Sequence, residues 1–172
     1  MTTLTALDAT AHKNLRVDMA KVEEIGADMH MIPVVMSEFL KLIVHYPILF
    51  TKNSDTGMFN CVCLMGLQEG ENLFWQHAAF NAIYIPLNIT RHPFFVGDDE
   101  TGKDQYVICL NKDSDSLSAT QGEPLFNQDG SATPILDEAK QKLAALNAKE
   151  NRSNGLTNPN SDILELDETG GF

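Results

Sequence analysis

One short motif occurs twice in this chain, as Gly70-Glu71-Asn72-Leu73-Phe74 and again as Gly122-Glu123-Pro124-Leu125-Phe126. Each copy follows a segment in which a proline, Pro47 or Pro93, lies between a ring-bearing residue and a run of apolar residues. Glycine and proline form turns, and large apolar residues form cores. The repeat therefore predicts a scaffold that is built from two similar units, and it does not by itself name a reaction.

The composition excludes several kinds of partner. With 172 residues, the chain is long enough for one ordinary hydrophobic core. Its 24 acidic and 12 basic side chains give a formal net charge of −12 at pH 7. Because the electric field of this negative charge repels the phosphate backbone of nucleic acids, we expect no nucleic-acid partner. The three cysteines lie in apolar runs, which is typical of reduced core residues.

The first residues and the apolar runs bear on localisation. The N-terminal segment has no basic flank, no long apolar stretch and no small-residue cleavage pattern, so we expect no signal peptide. The longest apolar runs are far shorter than the ~18 residues that cross a bilayer, so we expect no transmembrane segment. These features favour a cytoplasmic location.

The order of patterns along the chain predicts its fold class. A helical pattern from Pro33 precedes a hairpin, and a second hairpin begins near Pro93. The strand from Phe59 to Leu67 is apolar on both sides, which indicates burial on both faces. Thr133-Pro134 begins an amphipathic helix over Ile135 to Lys149. We therefore expect an α+β fold with a mainly antiparallel sheet from two helix-hairpin units, closed by a C-terminal amphipathic helix.

The same patterns predict the domain organisation. Residues 1–20 are expected to form a loosely ordered N-terminal arm, and residues 21–150 a single α+β domain. Residues 151–172 are rich in Asn, Ser, Gly and acids, which predicts a flexible acidic tail. One short apolar patch in this tail is a candidate partner-binding segment, and it consists of Ile163, Leu164 and Leu166.

A set of five residues is the best candidate for a ligand site between the two units. The acids of the repeated motif would approach each other if the units are related by symmetry, and two histidines and a tryptophan lie nearby in the sequence. The candidates are Glu71, Trp75, His77, His92 and Glu123. Structural roles are the stronger interpretation of each, because a carboxylate after a turn glycine commonly accepts a hydrogen bond from its own loop.

Motifs with a defined chemistry are missing from the sequence. It contains no HExxH, no Cys-x-x-Cys, no Gly-x-Ser-x-Gly and no glycine-rich phosphate loop. We therefore assign no catalytic residue, metal ligand or cofactor from the sequence.

A series of short motifs runs in a fixed order from about residue 12 to residue 150. It comprises Asn14-Leu15-Arg16, Ile32-Pro33-Val34, Glu38-Phe39, His45-Tyr46-Pro47-Ile48-Leu49-Phe50, Leu64-Met65-Gly66-Leu67, Tyr84-Ile85-Pro86, Arg91-His92-Pro93-Phe94 and both copies of the Gly-Glu motif. This series resembles the SapC family of bacterial proteins. The family takes its name from a gene linked to a paracrystalline surface layer, so the resemblance implies a bacterial origin and an envelope-related role.

The resemblance supplies no catalytic residues. Members of the family are usually longer after the C-terminal helix, which implies an exposed edge or patch on this chain that a partner covers. The leading hypothesis is a non-enzymatic binding or assembly protein with a protein partner. The alternative is an enzyme or enzyme accessory with a small-molecule pocket between the two units. A third hypothesis is a surface-layer or envelope component.

Overall fold

The computed structural model describes residues 3–54, 57–98 and 106–147. Within these ranges the chain forms short strands and few helices. The strands are β1 (Leu4–Ala6), β2 (Arg16–Val17), β3 (Met31–Pro33), β4 (Ile48–Lys52), β5 (Phe59–Leu64), β6 (Trp75–Gln76), β7 (Ala79–Phe80), β8 (Phe94–Asp98), β9 (Tyr106–Asn111), β10 (Leu117–Ser118) and β11 (Glu123–Pro124). The helices are α1 (Met19–Glu24), α2 (Phe39–Leu42), α3 (Leu87–Thr90) and α4 (Pro134–Asn147), and a 3₁₀ turn (Met36–Glu38) leads into α2.

Two three-stranded antiparallel sheets share one arrangement of strands. In one, the β4–β5 hairpin is joined by the earlier strand β3, which pairs with β5. In the other, the β8–β9 hairpin is joined by the earlier strand β1, which pairs with β9. The second strand of each hairpin is therefore central, and β4 and β8 lie at sheet edges among the described strands.

Two smaller antiparallel sheets complete the architecture. Strand β2 lies between β10 and β11, and β6 pairs with β7 in a short hairpin. Because the described strands make four small sheets, the single larger sheet of the sequence prediction is not what forms. The protein is α+β and has the expected C-terminal helix, but α2 and α3 have only four residues each and do not establish two helix-hairpin units.

The buried side chains form two hydrophobic clusters, one for each three-stranded sheet. The α4 cluster contains Phe94 and Leu110 from the β8–β9 hairpin, packed with Leu136 and Leu143 of α4. The α2 cluster contains Ile32, Cys61 and Cys63 from the other sheet, packed with Leu42 of α2. The interior of β5 is buried on both faces, as its continuous apolar pattern predicts.

Residues 3–20 contain the two short strands β1 and β2. Strand β1 pairs with β9, and β2 pairs with β10 and β11, so this segment contributes to two sheets. Val17 is buried in the α4 cluster. Two or three residues of strand are too short to give a recognisable period in the sequence, which explains why the pattern did not reveal them.

Candidate functional site

The segment from Met36 to Val44 is apolar on two opposite sides. One side packs inward, where Leu42 is fully buried in the α2 cluster. The other side is open, and Leu40 there is 84% exposed. A surface helix normally has a polar outer face, whereas a helix that is apolar all round is normally buried. This segment therefore has a second apolar side that the described chain leaves uncovered.

Ile83 lies beside the end of this segment. Its backbone N–H donates a hydrogen bond to Nε2 of His45 at 3.2 Å, and its side chain is 86% exposed. The ring of His45 also lies 6.4 Å from that of Phe74. We use the name α2 face for the exposed apolar side chains of this region, which are Met36, Leu40, Ile43, Val44 and Ile83.

Exposed apolar side chains are concentrated in one part of the described chain. Twelve large hydrophobic side chains are exposed there, and eleven of them lie between residues 36 and 83. Besides the α2 face, they include Leu49 and Phe50 on the free edge of β4, and the remaining one of the twelve is Leu4. Since single exposed hydrophobic residues are normal but concentrations of them are not, the stretch from residue 36 to residue 83 is the principal candidate for binding.

A buried carboxylate anchors the start of α2. Glu38 is 1% exposed, and its Oε1 accepts hydrogen bonds from the backbone N–H of Leu87 at 2.7 Å and from the hydroxyl of Tyr84 at 3.1 Å. Its Oε2 accepts from the N–H of Val35 at 3.1 Å. Burial raises the pKa of this carboxyl above its ordinary value of 4.5, and the hydrogen bonds oppose that shift.

These contacts hold the α2 face in place. Glu38 ties the beginning of the α2 segment to the chain around Leu87, and the hydroxyl of Tyr46 donates to the carbonyl of Tyr84 at 2.9 Å. The ammonium of Lys41 lies 5.0 Å from the centre of the Tyr84 ring. The exposed apolar side chains of the α2 face therefore lie on a segment whose position is held by hydrogen bonds on its inner side.

A small pocket lies beneath α4, among residues of α3, β8, β11 and α4. Its volume is about 170 Å³, which is below the ≈ 300–1,000 Å³ of typical ligand sites. The polar lining includes His92, Glu123, Glu138 and Lys142. Nζ of Lys142 lies 3.0 Å from Oε1 of Glu138, so this cation is already paired.

Two basic side chains beside this pocket are largely buried. Burial and, to a smaller extent, the charge of Arg91 together lower the pKa of His92 to about 4, so the imidazole is neutral at pH 7. Burial also lowers the pKa of Arg91 to about 10. The Arg91 guanidinium lies 4.4 Å from the centre of the Phe95 ring, and no carboxylate of the described chain forms an ion pair with it.

The structure brings two of the five predicted ligand residues together and leaves the other three elsewhere. His92 and Glu123 line the same pocket. Glu71 accepts a 2.7 Å hydrogen bond from the N–H of Leu67, which is the loop role that its position after a turn glycine suggests. Trp75 packs against Phe80 in the β6–β7 hairpin, and His77 is exposed in the turn of that hairpin.

Glu71 and Glu123 follow glycines with the same backbone geometry but have different surroundings. Gly70 and Gly122 have φ values of 79° and 86°. Glu71 is held in its own loop, whereas Glu123 is exposed in β11 at the pocket. The candidate partner residues Ile163, Leu164 and Leu166 lie outside the described residues, as does the whole predicted acidic tail.

Sequence reasoning missed two features of these sites. Glu38 follows a serine near a helix start, a common capping pattern, and nothing in that pattern signals its burial. Glu138 and Lys142 are four residues apart on a predicted helix, and this spacing is the available signal for their ion pair. Their place in the pocket depends on chain segments that are distant in sequence.

The described part of the chain contains no cluster of three His, Cys, Asp or Glu side chains that could hold a metal ion. Within those same ranges, no helix is both long and apolar enough to span a membrane.

Comparison with known proteins gives one match. Neither the curated proteins nor the solved structures contain a match to the chain. The family model described as SapC matches residues 7–161, which is most of the sequence. The protein therefore belongs to the SapC family.

Proposed function

We propose that this SapC-family protein is a non-enzymatic binding protein that holds another protein against its α2 face. The observation that carries this proposal is the two-sided apolar character of the α2 segment. Leu42 packs into the core, while Leu40, Ile43 and Val44 project outward from the same segment. Exposed apolar patches of this kind mark interaction sites on soluble domains.

The chemistry of the α2 face fits a protein surface better than a small ligand. Its aliphatic side chains lie on an open surface, where a flat or convex partner buries them at the centre of an interface. Lys41 lies among them and can pair with an acidic rim residue of the partner. The support for a bacterial, envelope-related setting is the family resemblance, and a surface-layer or envelope protein is the partner class that we propose.

A pull-down comparison tests this proposal. The tagged full-length chain would be purified from its native cells alongside Leu40→Ser/Val44→Ser and Leu4→Ser variants, and co-purifying proteins would be identified by mass spectrometry. Leu4 is the matched control, because it is an exposed aliphatic residue outside the 36–83 region. We expect a partner that the double variant loses and the control retains, with unchanged circular dichroism in all three proteins. Equal capture by all three proteins would contradict the proposal.

A second candidate function rests on the pocket beneath α4. The neutral imidazole of His92 and the carboxylate of Glu123 both line this pocket. Side chains of these two types are common general bases, so the pocket supports an enzyme or enzyme accessory as the second candidate. A ligand screen by thermal shift on wild type, His92→Gln and Glu123→Gln would test it. A ligand that stabilises the wild type and neither variant would favour this candidate, and failure of a broad library would count against it.

A further inference from the structure

The exposed charged residues of α2 and of β4, the strand that follows it, have the opposite sign to the chain as a whole. The formal net charge of the protein is −12, yet the exposed charged residues of α2 and β4 are Lys41 and Lys52. Glu38, at the start of the segment, is buried and cannot offset them at the surface. A ligand for this part of the surface should therefore combine aliphatic side chains with negative charge.

One segment of the chain itself has this composition. Residues 162–168 read Asp-Ile-Leu-Glu-Leu-Asp-Glu, three aliphatic residues among four acids. The SapC match ends at residue 161, so this acidic apolar segment follows directly after the family domain. We propose that residues 162–168 bind the α2 face of their own chain and compete there with the protein partner. The competition rests on the proposed function, whereas the intramolecular contact does not.

The connecting chain is long enough for this contact. Ile163 is sixteen residues beyond the end of α4 at Asn147, and a fully extended chain of that length spans at most about 55 Å. A compact domain of this size has a radius of gyration of about 15 Å. The segment can therefore reach the α2 face without any rearrangement of the described fold.

Tethering makes even a weak contact effective. A short covalent connection gives an effective concentration in the millimolar range, so a contact with a millimolar dissociation constant is occupied about half of the time. Partial burial of Ile163, Leu164 and Leu166, together with attraction to Lys41 and Lys52, is sufficient for an affinity of that order. A contact of that strength covers the apolar surface and still yields to a tighter partner.

Photo-cross-linking of the full-length chain tests the contact. The photoreactive residue p-benzoylphenylalanine would replace Leu164 in one variant and Asn158 in a matched control with a similar tether. Cross-linked peptides would be identified by mass spectrometry on a mixture of ¹⁴N- and ¹⁵N-labelled chains. We expect position 164 to cross-link mainly to peptides that carry residues 36–44 or Ile83, within one isotope label. Position 158 should give scattered products.

Two further variants sharpen the expected result. In the Leu164 cross-linker background, Lys41→Glu/Lys52→Glu should lower the yield at the α2 face roughly three- to tenfold. Ile163→Ser/Leu166→Ser should lower it as well, because the aliphatic contacts are lost. Scattered products from position 164, or products that mostly join the two isotope labels, would overturn the intramolecular contact.

The outcomes separate this inference from the proposed function. If the cross-links fall on the α2 face and yet Leu40→Ser/Val44→Ser retains every co-purifying protein, the contact stands and the proposed partner role fails. If the cross-links scatter while that variant loses a partner, the partner role stands and the inference fails. When both hold, removing the apolar residues of the segment should increase partner recovery several-fold.

Discussion

Two helices cover the two three-stranded sheets, and their outer sides differ in chemistry. Helix α4 buries Leu136, Ala139 and Leu143 against its sheet and presents Asp137 and Lys140 to solvent, where they form a 2.8 Å ion pair. The α2 segment buries Leu42 against the other sheet and presents Leu40, Ile43 and Val44 to solvent. The inner sides are alike, and the outer sides are opposite.

This difference distinguishes a helix surface that needs no further contact from one that exposes apolar area to water. A charged outer side keeps a helix soluble and needs no further contact. An aliphatic outer side leaves hydrophobic surface in water at roughly 25 cal/mol per Å², a cost that binding removes. Since the strand arrangement is the same in both sheets, the fold does not require the bare aliphatic side chains of the α2 segment. The binding function that we propose accounts for them.

The largest predicted effect compares one substitution on the two helices. Leu136→Ala in α4 should destabilise the protein by about 2–5 kcal/mol, because Leu136 is fully buried and its truncation leaves a cavity. Leu40→Ala in α2 should change the free energy of unfolding by less than about 0.5 kcal/mol, because Leu40 is 84% exposed and has little buried contact to lose. Urea unfolding of both variants measures the two values. Similar losses would show that the α2 face is covered in solution.

The repeated glycines compare the two halves at the backbone level. Gly122→Ala should cost about 2–4 kcal/mol, because φ is 86° and a Cβ there would collide with the carbonyl oxygen of Val17. Gly70→Ala should cost only about 1 kcal/mol, because φ is 79° but no atom lies within 4 Å of its Cβ position. Thermal unfolding checks the order, and a costlier Gly70 variant would refute this account.

Glu38 tests how firmly the α2 segment is held. Glu38→Ala should destabilise the protein by about 2–3 kcal/mol, because the buried N–H of Val35 and the partly buried N–H of Leu87 lose their acceptor. Glu138→Ala is the matched control on α4 and should cost less than about 0.5 kcal/mol, since its carboxylate is 63% exposed. Chemical unfolding of both variants makes the comparison. If Glu38→Ala proves as mild as the control, Glu38 does not anchor the segment.

Long local patterns predicted the fold better than short ones. The amphipathic period of α4 predicted a helix over 135–149, and the structure places it at Pro134–Asn147. The apolar run of β5 predicted burial on both faces, which the structure shows. The strands of two or three residues, such as β2, have no period to detect, and their pairing with β10 and β11 is a tertiary contact. That is why the sequence predicted one sheet where the described strands form four small ones.

The candidate sites were less accessible to sequence reasoning for the same reason. The pattern of Val35, Phe39 and Leu42 marks a helix, but it does not say which apolar neighbours remain outside. The exposure of Leu40 follows from which side of the segment the sheet occupies. Likewise, His92 and Glu123 share a pocket because β11 pairs with β2 beside α4, and no local signal encodes that pairing.

The smallest predicted effect concerns the pH dependence of stability that arises from His92, beside the pocket beneath α4. Because the pKa of His92 is lowered to about 4 from 6.5, the unfolded chain binds more protons than the folded chain between these values. Stability should therefore be complete above pH 6.5 and fall by about 1–2 kcal/mol as the pH drops to 4, allowing for solvent in the pocket. His92→Gln should lack this loss while Arg91, Glu123 and Lys142 stay in place. Urea unfolding of both proteins from pH 7 to pH 4 measures the difference. Parallel curves would show that α4 leaves His92 open to water. The region under α4 would then be no better covered than the α2 face.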